Sequence, residues 1–122
     1  NGSEPPLNCR PEPKYVDFKN KMFNDLDKHW TQFQIDADAA LAKQSIWKYQ
    51  YSRHGSCCQE VYNQEAYFTL ALRLNDRFDI LETLRLHKIV PGANYLFSEI
   101  FEAVKTVTKS KLPDLKCIRG SQ

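Results

Sequence analysis

Between Ser45 and Cys58 the sequence reads SIWKYQYSRHGSCC, which gathers side chains able to hold an anion and move a proton. On a helix, where each residue turns by about 100°, Ile46, Trp47, Gln50, Arg53 and His54 share a third of the circumference. That face offers a flat ring, an amide, a guanidinium and an imidazole. The imidazole stands where the helix would end, and the backbone dipole favours a cation there. A histidine beside an arginine can clamp a phosphate, with tryptophan available for packing or stacking. The same pattern also fits plain architecture, because isoleucine and tryptophan on a helix commonly face a core and a terminal histidine can simply close the helix. Periodicity leaves both readings open.

The elements needed to position this face follow from patterning. The segment up to Lys14 holds four of the six prolines and reads as a loop containing Cys9. Tyr15, Phe18, Met22, Leu26 and Trp30 lie along one arc at helical spacing. After a break near residues 31–36, a second helix is expected from about Asp38 to His54, with Asp38 as its N-cap and Gly55 as its stop. Asn63 can cap a third, whose inward stripe reads as Tyr67, Leu70, Ala71, Leu74 and Phe78. A fourth covers Asp79 to His87. Ser98 can cap a fifth carrying Phe97, Ile100, Phe101, Val104 and Val107. Leu115 to Ile118 reads as one short strand without a partner, so the chain looks like part of a larger fold.

Composition agrees with one globular domain over residues 1–122, since the chain is 42% hydrophobic and 26% charged. Its 17 basic and 15 acidic side chains are interspersed, giving a formal charge of +2 that permits nucleic acid without demanding it. No apolar run is long enough to suggest a membrane partner. Cys9, Cys57, Cys58 and Cys117 have no zinc-type spacing, so no metal is expected and disulfides are the better reading. Cys57 and Cys58, being adjacent, cannot easily pair with each other. With Asn1-Gly2-Ser3, the one glycosylation sequon, the cysteines point to the secretory pathway, either extracellular or vacuolar.

The stretch WKYQYSRHGSC, Trp47 to Cys57, resembles the second active-site segment of the ribonuclease T2 family, whose usual form is Phe-Trp-x-His-Glu-Trp-x-Lys-His-Gly-Thr-Cys. NDLDKHW, QEAYFTLALRLNDRFDILETLRLHKIVPG and EIFEAVKTVTKSKLPDLKC extend the likeness to plant members, the S-like and self-incompatibility ribonucleases. The resemblance implies an α+β fold, an antiparallel sheet flanked by helices, to which this chain contributes mainly the helical part. It also implies a Cys9–Cys57 bridge, a Cys117 whose partner lies elsewhere, and a glycosylated Asn1. The family's first active-site segment, His-Gly-Leu-Trp-Pro, would precede Asn1, and its C-terminal end would follow Gln122. The rest of the fold is then expected either as separate chains produced by nicking and held by disulfides and buried surface, or as parts of the protein outside this sequence.

The activity so implied is cleavage of RNA through a 2′,3′-cyclic phosphate, without a cofactor. His54 matches the family's second-segment histidine, which accepts the 2′ proton, and Arg53 stands where the family has a phosphate-stabilising lysine. Gln50 replaces the catalytic glutamate; an amide keeps hydrogen bonding but carries neither charge nor an exchangeable acid proton near neutrality. Tyr49 replaces a phosphate-assisting histidine, Ile46 a base-holding phenylalanine, and Tyr51 a tryptophan. These departures imply lowered activity, and they leave two alternatives: an inactive relative kept for storage or defence, or a recognition protein of the self-incompatibility type.

Overall fold

The computed structural model describes residues 6–109 and 111–117. The chain divides into two compact units, Asn1–Leu74 and Asn75–Gln122. In the first, helix α1 (Lys21–His29) begins where the Asn20 side chain accepts the Met22 N–H, and its end is marked by Trp30. Tyr15 and Phe18 therefore precede the helix rather than extending it. They still reach the core, where Phe18, Leu26, Trp47, Tyr51 and Phe68 are buried together.

The single second helix expected from Asp38 to His54 is two helices. Helix α2 (Ala37–Lys43) starts at Asp36, whose carboxylate accepts from the Asp38 and Ala39 N–H groups, so the N-cap lies two residues before the expected Asp38. It ends at Gln44, which takes a left-handed backbone with φ at 47°, and helix α3 (Ser45–Arg53) starts immediately after. A non-glycine residue pays for that conformation in strain, and here its side chain supplies the compensation. The buried Gln44 amide accepts from Tyr15 Oη at 2.8 Å and from the Phe18 N–H at 2.9 Å, and it donates to the Phe18 carbonyl at 2.8 Å. Gln64 holds Val16 in the same way, accepting from its N–H at 2.9 Å and donating to its carbonyl at 2.6 Å.

Helix α4 (Gln64–Arg77) opens with the Asn63 side chain accepting the Ala66 N–H, as its sequence implies. Its inward face differs from the expected stripe. Phe68 is completely buried, whereas Leu70 and Leu74 remain 38% and 43% exposed. The helix carries apolar residues on two adjoining arcs, and the arc centred on Tyr67, Phe68 and Leu72 meets the core. Four rings surround Phe68, from Phe18, Trp30, Tyr51 and Tyr67, with centroids 5.2–6.2 Å away.

In the second unit, α5 (Ile80–Leu86) is capped by Asp79 and packs against α6 (Phe97–Val107), which buries Ala103 and Val104. The start of α6 is set by Leu96 instead of Ser98, with the Glu99 carboxylate accepting the Leu96 N–H at 2.7 Å. Among the described residues there is no strand. Leu115 to Cys117 are irregular, and Ile118, the end of the expected strand, lies outside the described residues, as does Asn1.

Candidate functional site

Helix α3 is fixed at both ends. At its start the Ile46 N–H donates to Gln32 Oε1 at 3.0 Å, while the Trp47 indole donates to the Trp30 carbonyl at 2.9 Å. At its end the Arg53 carbonyl accepts the Asn8 N–H at 2.7 Å. A short 3-10 turn, Gly55–Cys58, follows at once, and Cys57 is joined to Cys9 with the two Cα atoms 4.9 Å apart. The buried Ser56 hydroxyl accepts the Cys9 N–H at 3.0 Å, so the loop carrying Cys9 lies against the segment that follows His54.

The face read from the sequence is thereby divided. Trp47 is only 3% exposed and stands edge-on to Phe23, which leaves no open ring face for stacking. Ile46 is half-buried against the same core. Gln50 and Arg53 are half-buried, His54 is exposed, and its N–H donates to the Gln50 carbonyl at 2.9 Å. Gln50, Arg53 and His54, spaced three and four apart, thus share one helix surface at the C-terminal turn. Tyr49 is 52% exposed, and the Arg53 guanidinium lies 5.8 Å from its ring centre.

Beneath the turn, burial pushes the Tyr51 and Tyr67 phenols up, and the neighbouring Cys58 adds to the effect. The Cys58 thiol donates to the Gly55 carbonyl at 3.3 Å. Cys58 and the exposed Cys117 are not in disulfides. No group of three His, Cys, Asp or Glu side chains among the described residues is arranged to hold a metal ion. The arrangement can therefore present a cation, an amide and an imidazole at one helix end, on a base of aromatic packing and a covalent tether. Gln44, Gln64 and Ser56 position this base and were not singled out by sequence. A glutamine within an unbroken helical pattern gives no sign that its amide will be spent on a distant backbone.

Comparison with known proteins agrees with this architecture. The ribonuclease T2 family model matches residues 1–122. Ribonuclease S-F11 of Nicotiana alata is 56% identical over 110 residues, covering 90% of this chain and 56% of the relative. Ribonuclease S-3 of Petunia hybrida is 48% identical over 109 residues, covering 88% of this chain and 49% of the relative. The chain thus spans about half the length of the curated relatives it matches. Among solved structures, a self-incompatibility associated SF11-RNase of Nicotiana alata superposes with a TM-score of 0.87 at 52% identity, over 95% of this chain and 59% of the other. Ribonuclease MC1 from bitter gourd seeds, at 24% identity and a TM-score of 0.62 over 84% of this chain and 52% of the other, shares the fold.

Proposed function

The chain belongs to the ribonuclease T2 family, and we propose that it carries the second active-site segment of an endoribonuclease that cuts RNA by transesterification. In that reaction the 2′ oxygen forms a bond to its own phosphorus while the bond to the 5′ oxygen breaks, leaving a 2′,3′-cyclic phosphate and a 5′-hydroxyl. His54 accepts the 2′ proton, Arg53 donates hydrogen bonds to the non-bridging oxygens as charge builds there, and Gln50 supports a phosphate oxygen through its amide. The proton for the departing 5′ oxygen comes from a second histidine, outside residues 1–122. The observation carrying this reading is the Arg53-His54-Gly55 sequence at the end of α3, with both functional side chains on one surface over the Cys9–Cys57 tether.

The rest of the fold, including its sheet, is supplied by further segments, one of them joined through Cys117. The assembled protein is secreted or vacuolar and glycosylated at Asn1, which is consistent with a disulfide-bearing chain. The test is RNA turnover by the chain assembled with a segment carrying His-Gly-Leu-Trp-Pro. Cyclic-phosphate products that disappear with His54→Ala are expected, and Gln50→Glu should raise the rate by about 10²-fold or more. If neither Gln50 form releases cyclic phosphates, the protein is a non-catalytic relative used for storage or defence, the reading that the loss of the glutamate favours. A recognition role of the self-incompatibility type is favoured by the likeness to the self-incompatibility associated SF11-RNase at 52% identity. It requires a protein partner whose binding responds to substitutions on this chain's surface.

A further inference from the structure

Beside the candidate site lies a shallow cavity of about 620 Å³ that its chemistry does not use. Its lining includes Lys43 from the end of α2, Ser45, Lys48, Tyr49 and Ser52 from α3, and Asp17. The four α3 positions recur at three and four, so they form one stripe along the helix. That stripe meets the Gln50, Arg53 and His54 surface at Tyr49, whose exposed ring has the Arg53 guanidinium over one face, 5.8 Å from its centre, and so has the other face for a base. Lys43 and Lys48 are exposed, and among the described residues neither is within ion-pair distance of a carboxylate.

Resting on the reading of RNA as the substrate, we propose that Lys43, Lys48 and Tyr49 form a shelf that binds the RNA strand flanking the cleaved bond. The two ammonium groups take successive phosphates and the Tyr49 ring takes the face of a base. A cationic track with an interleaved aromatic ring is what a single strand requires, because every nucleotide offers the same phosphate and every base a stackable face. The shelf therefore adds affinity and sets the strand's course without reading sequence. Ser52 adds a hydroxyl at its rim, whereas the Ser45 hydroxyl is already engaged with Gln32 Oε1 at 3.1 Å. Asp17 opposes the phosphates and moderates binding.

The test is fluorescence anisotropy of a labelled, uncleavable 2′-O-methyl oligonucleotide across a salt series, with every form of the chain assembled with the segment carrying His-Gly-Leu-Trp-Pro. The chain is compared with Lys43→Ala/Lys48→Ala, Tyr49→Leu, Asp17→Asn, and a control pair outside the shelf, Lys28→Ala/Lys116→Ala. Each lost phosphate contact lowers the log–log salt slope by about 0.7 for a single strand. Between 50 and 200 mM salt the unaltered chain should thus lose roughly sevenfold more affinity than the double shelf variant. Tyr49→Leu should weaken binding at an unchanged slope, Asp17→Asn should tighten it, and the control pair should keep the original slope. RNA binding with the same slope in the shelf and control variants overturns the shelf and leaves the RNA reading standing. If the unaltered chain does not bind the oligonucleotide at all, both fall.

Discussion

The ring of Tyr51 fills the space above Gly55, so that a methyl group placed on Gly55 would stand 2.8 Å from Tyr51 Cε2 and closer still to Cδ2. Tyr51 is buried beside Tyr67 and Phe68, so its ring has little freedom to retreat. The glycine after His54 is therefore a packing requirement, and it brings the histidine-bearing turn down onto the aromatic core. Gly55→Ala should destabilise the chain by about 1–3 kcal/mol through overpacking. Gly92, at a φ of +88°, has open space around it, and Gly92→Ala should lose only about 1 kcal/mol from backbone strain. Urea unfolding distinguishes the two; equal losses would remove the packing explanation for Gly55.

Gln44 and Gln64 make the same pair of bonds to backbone, but in different surroundings. Phe18, held by Gln44, is buried, whereas Val16, held by Gln64, is 62% exposed and can exchange a lost partner for water. Gln44→Leu should then cost about 2–4 kcal/mol, since it strands the Phe18 N–H and carbonyl together with the Tyr15 hydroxyl. Gln64→Leu should fall below about 1 kcal/mol. Comparable midpoint shifts in urea would mean that burial does not decide the difference.

These two glutamines also explain what the sequence conceals. The helix end at His54–Gly55 was legible because its pattern is local, and the Cys9–Cys57 bridge because both cysteines lie in stretches that resemble a known family. The helix break at Gln44 was not, because residues 38–54 contain neither glycine nor proline and the break depends on bonds to Tyr15 and Phe18, 26 or more positions away. Phe68 was overlooked for a related reason: α4 has two apolar arcs, and only the packing of Phe18, Trp30 and Tyr51 selects between them. Trp47 fitted both a ligand face and a core face, and its burial with the indole on the Trp30 carbonyl assigns it to the core.

The Cys9–Cys57 bridge closes a loop with a sequence separation of 48, for which the chain-entropy relation gives about 4 kcal/mol of stabilisation. The bridge also holds the Cys9 N–H on Ser56 and the Asn8 N–H on the Arg53 carbonyl. Cys9→Ser/Cys57→Ser should lower stability by that order and leave the amides of Asn8 and Cys9 open to hydrogen exchange. Persistent protection of both amides would show that packing alone holds the loop against the end of α3.

Three phenols, Tyr51 buried and Tyr15 and Tyr67 half-buried, give the chain an alkaline limit. Burial, reinforced by Asp17 at Tyr15 and by Cys58 at Tyr51 and Tyr67, pushes all three above the ordinary tyrosine value of 10.0. Each therefore keeps its proton to higher pH in the folded chain than in the unfolded one. Below pH 10 both states are protonated and the phenols favour the fold in full; above it the unfolded state loses protons first, so rising pH progressively favours unfolding. Urea stability should hold steady to about pH 9 and fall beyond 10, with a delayed rise in phenolate absorbance that coincides with loss of structure. No hydrogen bond among the described residues holds the Tyr51 hydroxyl, so Tyr51→Phe should leave neutral stability nearly intact while making the alkaline decline shallower. A decline as steep as in the unaltered chain would assign the limit to other groups.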